Sequence, residues 1–195
     1  MINKMKYTLI NRITQFQETV LTTTVTDSES NELLLETGLL KSHNVFVKIQ
    51  KEKRNCYIIG NGGSAAIASH AAIDFMNVGK ISAITLHDTA TLTCMANDYG
   101  YENAFSNIIK LVLKPQDILI AISSSGQSKN IINAVESAKD HGSTVITLSG
   151  FDSKNPLRKM GDINFWCNSR DYGMVEIGHQ FILHNLADRF MANES

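Results

Sequence analysis

Residues Tyr57 to Asp74 read YIIGNGGSAAIASHAAID. A short apolar run meets a turn holding Gly60, Gly62, Gly63 and Ser64, and an alanine-rich stretch then carries His70 and Asp74 four residues apart. An apolar run of strand length, broken by glycines and followed by good helix formers, is the strand–turn–helix unit of a parallel α/β sheet. Its loop reads as a nucleotide loop, as a sugar-phosphate loop, or as a tight turn ahead of a packed helix.

Moving outward, the same texture repeats. SAITL (82–86), DILIAIS (117–123), TVITLSG (144–150) and INFWC (163–167) read as further buried strands. Between them the pattern predicts helices over 65–77, 89–97, 129–141 and 174–191. Asp88 is placed to cap the second of these, and Gly142 to stop the third where a C′ glycine belongs. Alternating strands and helices imply an α/β fold with a flavodoxin-like parallel five-stranded sheet, order 2-1-3-4-5, sandwiched by helices. Ahead of it, apolar spacing predicts a helix over 1–24. TDSE (26–29) fits a capping box opening a second helix that runs to about Lys51. The chain then reads as one domain over 1–195, with N-terminal helices in 1–52 and the α/β sandwich in 53–195.

Composition narrows the function. With 195 residues and a net charge of −1, the chain has room for a sizeable core and no bias toward nucleic acid or an acidic membrane surface. No apolar run approaches the ~20 residues of a membrane span, and the polar-interrupted N-terminus does not read as a signal peptide. Cys56, Cys94 and Cys167 stand far apart without a CxxC, which points to a reducing cytoplasm rather than a zinc knuckle or disulfide frame.

In the predicted order the first and third strands are neighbours, so GNGGS and SSSGQS face each other across one crevice. Backbone N–H groups at a helix start are unpaired and partly positive. Glycines let that backbone approach a ligand, and hydroxyls add donors. Ser123, Ser124, Ser125 and Ser128 fall within six residues, with no Lys or Arg before Lys129. That composition suits a phosphate monoester held by hydroxyls and amides, although small residues at such turns are also what any parallel sheet requires. GNGGSA satisfies a Rossmann-like G-x-G-x-x-A but leaves the serine loop unexplained. No G-K-[ST] follows, which excludes a Walker A loop. Ile122 stands where a nucleophile elbow needs glycine.

His70 and Asp74 share a helix face, as do Glu176, Gln180 and His184 near the C-terminus. A His with a carboxylate on each of two helices could hold a divalent metal, or supply an acid and a base. Each of these residues could equally lie on a solvated face.

GNGGSAAIASH, MANDYGYENAF, ISSSGQS and VITLSG, in that order, resemble the sugar isomerase (SIS) domain in its phosphoheptose isomerase branch, over nearly the whole chain. The resemblance implies an aldose–ketose isomerase interconverting sedoheptulose 7-phosphate and D-glycero-D-manno-heptose 7-phosphate through an enediol. It also implies a homotetramer with sites at subunit interfaces. By this resemblance Asn61, Gly62, Gly63 and Ser64 would meet the sugar, with Asn97 and Asp98 nearby. Ser123, Ser124, Ser125 and Ser128 would hold the phosphate. Zinc would be ligated by His70, Asp74, Glu176 and His184, with Asp74, Glu176 and His184 also carrying catalysis. Asp74 stands where those isomerases carry Glu, shorter by about 1.5 Å of reach. Glu176 replaces Gln, Ile67 a frequent Asp, and Val78 a substrate-contacting Arg. Two alternatives remain open: a non-catalytic phosphosugar sensor or replication-initiator-binding adaptor, and a dinucleotide enzyme.

Overall fold

The computed structural model describes residues 7–191. From the N-terminus run α1 (Leu9–Leu21), a hairpin of β1 (Thr24–Asp27) and β2 (Glu32–Leu33), and α2 (Leu35–Glu52). Next come β3 (Asn55–Ile59), α3 (Gly63–Asn77), β4 (Ser82–Thr85), α4 (Thr89–Tyr99) and α5 (Ala104–Val112). The chain closes with β5 (Ile118–Ser123), α6 (Lys129–Asp140), β6 (Thr144–Ser149), β7 (Ile163–Trp166) and α7 (Tyr172–Asp188).

One sheet takes all seven strands in the order β2-β1-β7-β6-β5-β3-β4. Its five parallel strands have the expected 2-1-3-4-5 succession, with β3 and β5 adjacent in register Ile58↔Ile120. All six residues of β5 are buried, as a central parallel strand covered on both faces requires. Side-chain alternation divides the core. Ile118, Ile120 and Ile122 join Phe46, Phe75 and Leu186 under α2, α3 and α7. Leu119 and Ala121 face Phe105, Ile109, Ile131 and Val135 of α5 and α6. Truncating one such fully buried isoleucine to alanine costs about 2–5 kcal/mol.

The hairpin is a correction to the sequence expectation. TDSE does not open a helix: Thr26 and Asp27 belong to β1, which pairs antiparallel with β7. Asp27 Oδ1 accepts from the backbone N–H of Glu29 (3.0 Å) and Asn31 (2.9 Å), and Ser30 takes φ +66°. The short side chain of Asp27 thus organises a turn that the capping-box pattern mimics. The sheet gains two antiparallel strands beyond the five expected. Helix α2 starts only at Leu35, without a side-chain cap. Gly38 within it is explained by β1, because a Cβ there would lie 2.5 Å from Val25 Cγ1. The first helix, expected over 1–24, is seen over Leu9–Leu21, and its opening residues 1–6 lie outside the described ones. It packs on α7 through Phe16 and Phe181, edge to face with centroids 5.7 Å apart, and through a bidentate Arg12–Asp171 pair. Asp88 caps α4 by accepting from Thr91 N at 2.8 Å, as expected. Helix α5, which the strand-and-helix reading passed over, lies in the segment between α4 and β5.

Candidate active site

The C-terminal ends of β3 and β5 lie side by side, so the loops that follow them form the two walls of one crevice. At the first loop the chain must turn from strand to helix in three residues. Gly62 does so at φ +55°, a conformation that side-chain-bearing residues rarely adopt. Its neighbour Gly63 opens α3. Gly60 N donates to His87 Nε2 at 3.3 Å, which ties the loop to the end of β4. Burial lowers the His87 pKa, which favours the neutral, accepting imidazole.

In the second loop the hydroxyls converge. Ser123 Oγ donates to Ser128 Oγ at 3.2 Å and lies 3.5 Å from Ser125 Oγ, which itself accepts from Gln127 N. Ser128 is the N-cap residue of α6, but its side chain makes no cap bond to the helix. Ser124 Oγ is buried and has no hydrogen-bond partner among the described residues. Such orphaned hydroxyls are costly unless a ligand or water completes them.

Between the loops lies a cavity of about 260 Å³ lined by Asn61, Gly62, Gly63, Ser64, Ile122, Ser123, Ser124, Ser125, Ser128, Tyr172 and Glu176. Its wall has one carboxylate and neither Lys nor Arg. An anion would therefore be held there by hydroxyls and backbone amides. Glu176 enters from the first turns of α7, and its carboxylate rests on the Cα of Gly63.

On the adjoining faces of α3 and α7, His70, Asp74 and His184 bring their ligand atoms within 4.8 Å of one another. Asp74 Oδ2 is 2.8 Å from His184 Nδ1 and 3.3 Å from His70 Nε2. Hydrogen bonding to Asp74 raises the His184 pKa. Two imidazoles and a carboxylate, half open to solvent on the histidine side, match the donor set of a three-ligand metal site with a free position. Glu176 is not part of this cluster, and stands instead in the cavity wall.

Of the residues singled out in the sequence, the glycine and serine loops and Glu176 line one cavity, and the His–Asp–His trio lies further along the same two helices, α3 and α7. Asn97 and Asp98 are not among the residues that line this cavity; they occupy exposed positions of α4, where Asn97 Nδ2 donates to Asp98 Oδ1 at 3.0 Å. Helix α4 buries none of its residues. The sequence reading missed Tyr172 in the cavity wall, and Asn130 and Tyr101, which bind Asn61. Asn130 carried a signal: it is an amide on a helix face otherwise filled by Ile131, Ala134 and Val135. His179, three residues after Glu176 on α7, is fully buried, with Nε2 donating to the carbonyl of Ser149 at 3.0 Å, and desolvation pushes its pKa down to about 4.

The SIS domain family profile matches residues 11–150. The chain belongs to the SIS domain family. The phosphoheptose isomerase of Helicobacter pylori (strain P12) is 35% identical to it over 160 residues, covering 79% of this chain and 83% of that one. That of Campylobacter concisus (strain 13826) is 36% identical over 142 residues, covering 70% and 75%. The structure of the phosphoheptose isomerase from Neisseria gonorrhoeae superposes with a TM-score of 0.77 at 26% identity, over 93% of this chain and 92% of that one. That of the Francisella tularensis enzyme gives 0.76 at 28%, over 95% and 99%. The SIS fold and an isomerase activity follow from this relationship.

Proposed function

We infer that the chain is a phosphoheptose isomerase, interconverting sedoheptulose 7-phosphate and D-glycero-D-manno-heptose 7-phosphate. One observation carries the reading: serine hydroxyls and a carboxylate share one cavity without cations, and a His–Asp–His cluster stands on the two helices, α3 and α7, that help to line it. In this reading the phosphate sits among Ser123, Ser124, Ser125 and Ser128 at the start of α6. The sugar extends along Asn61, Gly62, Gly63 and Ser64 toward Glu176.

Isomerisation moves one carbon-bound proton between C1 and C2. Asp74 takes the C1 proton of the ketose, the electron pair becomes the C1–C2 double bond, and the C2 oxygen gains a proton from His184. The resulting enediol is reprotonated at C2 by Asp74, while the C1 oxygen returns its proton to His184 and becomes the aldehyde. Asp74 Oδ2 lies 2.8 Å from His184 Nδ1, so this base and this acid reach adjacent atoms of one sugar. Glu176, in the cavity wall, would accept from the sugar hydroxyls. A zinc ion would be held by His70, Asp74 and His184, and would supply polarisation of the sugar carbonyl; Glu176, at the position where the family resemblance implies a fourth ligand, stands outside this cluster.

Leu9, Ile10 and Ile13 of α1, Ile73 and Met76 of α3, and Ile177 and Phe181 of α7 are exposed apolar side chains. Their number supports a homo-oligomer, and the family resemblance a tetramer. Among the described residues no helix is long and apolar enough to cross a membrane. Three free cysteines support a cytoplasmic setting.

The test is a turnover assay with sedoheptulose 7-phosphate, run with added zinc and with chelator. Turnover destroyed by chelation and restored by zinc is the expected result. Binding of the sugar phosphate without turnover in either condition would replace the isomerase by a phosphosugar sensor.

A further inference from the structure

Asn61 lines the cavity, but its amide is already engaged. Asn61 Nδ2 donates to Asn130 Oδ1 at 2.9 Å, and Asn130 Nδ2 donates back to Asn61 Oδ1 at 2.9 Å. Tyr101 O–H donates to the same Asn61 Oδ1 at 2.8 Å. An amide oxygen has two lone pairs and an amide nitrogen two hydrogens. Both lone pairs of Asn61 are therefore taken, and one of its two N–H groups. What the side chain retains for the crevice is a single N–H donor.

These bonds also span the crevice. Asn61 belongs to the loop after β3, whereas Asn130 stands in the first turn of α6, two residues beyond Ser128. Asn130 is 3% exposed, so its amide would be left buried and unsatisfied without this partner. Tyr101 comes from the 3₁₀ turn between α4 and α5, a third element. A reciprocal amide pair has two parallel bonds and resists both rotation and shear, unlike a lone hydrogen bond.

We propose that Asn130 and Tyr101 are positioning residues that lock the Asn61 amide as a donor and fix the spacing between the sugar loop and the serine loop. Their effect is on alignment: a phosphate anchored among the serines places the sugar oxygens at a set distance from the Asn61 N–H. The proposal rests on the sugar-phosphate reading of the cavity. It adds that the crevice is held at its working width by amides that do not themselves meet the phosphate.

Asn61→Ala, Asn130→Ala, the double variant and Tyr101→Phe are compared for kcat and KM with sedoheptulose 7-phosphate, with inorganic phosphate as competitive inhibitor. Each asparagine variant should lower kcat/KM by about tenfold or more, the loss expected from one misplaced polar contact. The double variant should be no worse than Asn61→Ala alone, because the residues act as a unit. Inhibition by inorganic phosphate, which needs the serine pocket alone, should stay within about threefold of wild type. Tyr101 is half exposed and Tyr101→Phe removes one oxygen, so this variant should fold as wild type and lose about three- to tenfold in kcat/KM. Multiplying losses in the double variant, weakened phosphate inhibition in Asn130→Ala, or unchanged kcat/KM in Tyr101→Phe would each overturn the proposal. Should wild type bind the sugar phosphate without turning it over, the isomerase reading fails by itself. The same cycle is then read by calorimetry as the affinity ratio of sugar phosphate to inorganic phosphate, which must fall in Asn130→Ala and Tyr101→Phe and overturns the proposal if it holds.

Discussion

The carboxylate of Glu176 lies directly over the Cα of Gly63, so that a Cβ at position 63 would come within 2.7 Å of Glu176 Cδ. Helix α7 can bring an acid this close to the glycine loop because position 63 has no side chain. Gly63→Ala should therefore push the carboxylate out of the cavity. The clash is with the end of a flexible side chain, so the fold should survive with a melting temperature lowered by a few degrees at most, about 1 kcal/mol. Turnover should fall by about 10-fold or more, as for loss of a charged contact to the sugar. Activity within a factor of about three of wild type would show that Glu176 is not needed where it lies.

Asp74 holds two imidazoles with one oxygen. Asp74→Asn keeps the size of the side chain but removes its charge and half of its acceptors. Bound zinc, measured by elemental analysis after equilibration, should fall by about 10-fold or more, and turnover with it. His70→Ala should lose zinc in the same way. Zinc content equal to wild type in both variants would dissociate the cluster from metal binding.

The serine loop predicts a loss confined to binding. Ser123→Ala and Ser128→Ala each remove a hydroxyl from the set that converges after β5. A hydrogen bond to a charged group contributes about 1.5–3 kcal/mol, so each variant should raise KM about 10-fold or more. Unfolding in urea should shift little. An unchanged KM in both would remove phosphate from this loop.

Burial of His179 makes stability depend on pH. Its folded pKa is depressed to about 4 from an ordinary 6.5, because the fully buried ring cannot accept a charge cheaply. Above pH 6.5 both folded and unfolded chains carry it neutral, and its contribution is whole. As pH falls from 6.5 toward 4 the unfolded chain takes up a proton that the folded one refuses, and stability drops by up to about 1.4 kcal/mol per pH unit. His179→Gln, which preserves a donor for Ser149, should show a shallower decline over that interval in urea unfolding. His43 and His87 are depressed as well, so the difference between the two slopes is what reports on His179. Identical slopes would place the proton elsewhere.

Exposed apolar side chains on α7 predict self-association. Phe181→Asp places a charge where an aromatic ring is 49% exposed, beside Phe16. Sedimentation should show a wild-type oligomer and a smaller species for the variant. A wild-type monomer would contradict the oligomer.

The parallel half of the fold was legible because its signals are local. GNGGS and SSSGQS each mark a strand end and a helix start, and alternation of strands with helices implies a parallel sheet, for which 2-1-3-4-5 is a common five-strand order. The hairpin was not legible, because Thr26 and Glu29 satisfy a capping box on spacing while Asp27 between them makes the turn. What decides the matter is β7, far away in sequence, which offers β1 an edge to pair with. The loops and the His70–Asp74 pair could be read from local spacing, but the contact of Asp74 with His184 could not, because spacing groups His184 with Glu176 and Gln180. The Asn61–Asn130 pair could not, because nothing in the neighbourhood of either residue announces a partner 69 positions away.

The antiparallel edge carries a consequence for synthesis. Thr24 to Asp27 are translated well before their partners, Ile163 to Trp166. At roughly 5–20 residues per second, β1 leaves the ribosome on the order of 10 seconds before the strand that receives it. Throughout that interval Val25, wholly buried at the end, has no β7 strand to cover it. The nascent chain can assemble β3, β4, β5 and β6 as they emerge, but its first strand must wait for nearly the last. A segment held in waiting is where a nascent-chain chaperone has most to shield.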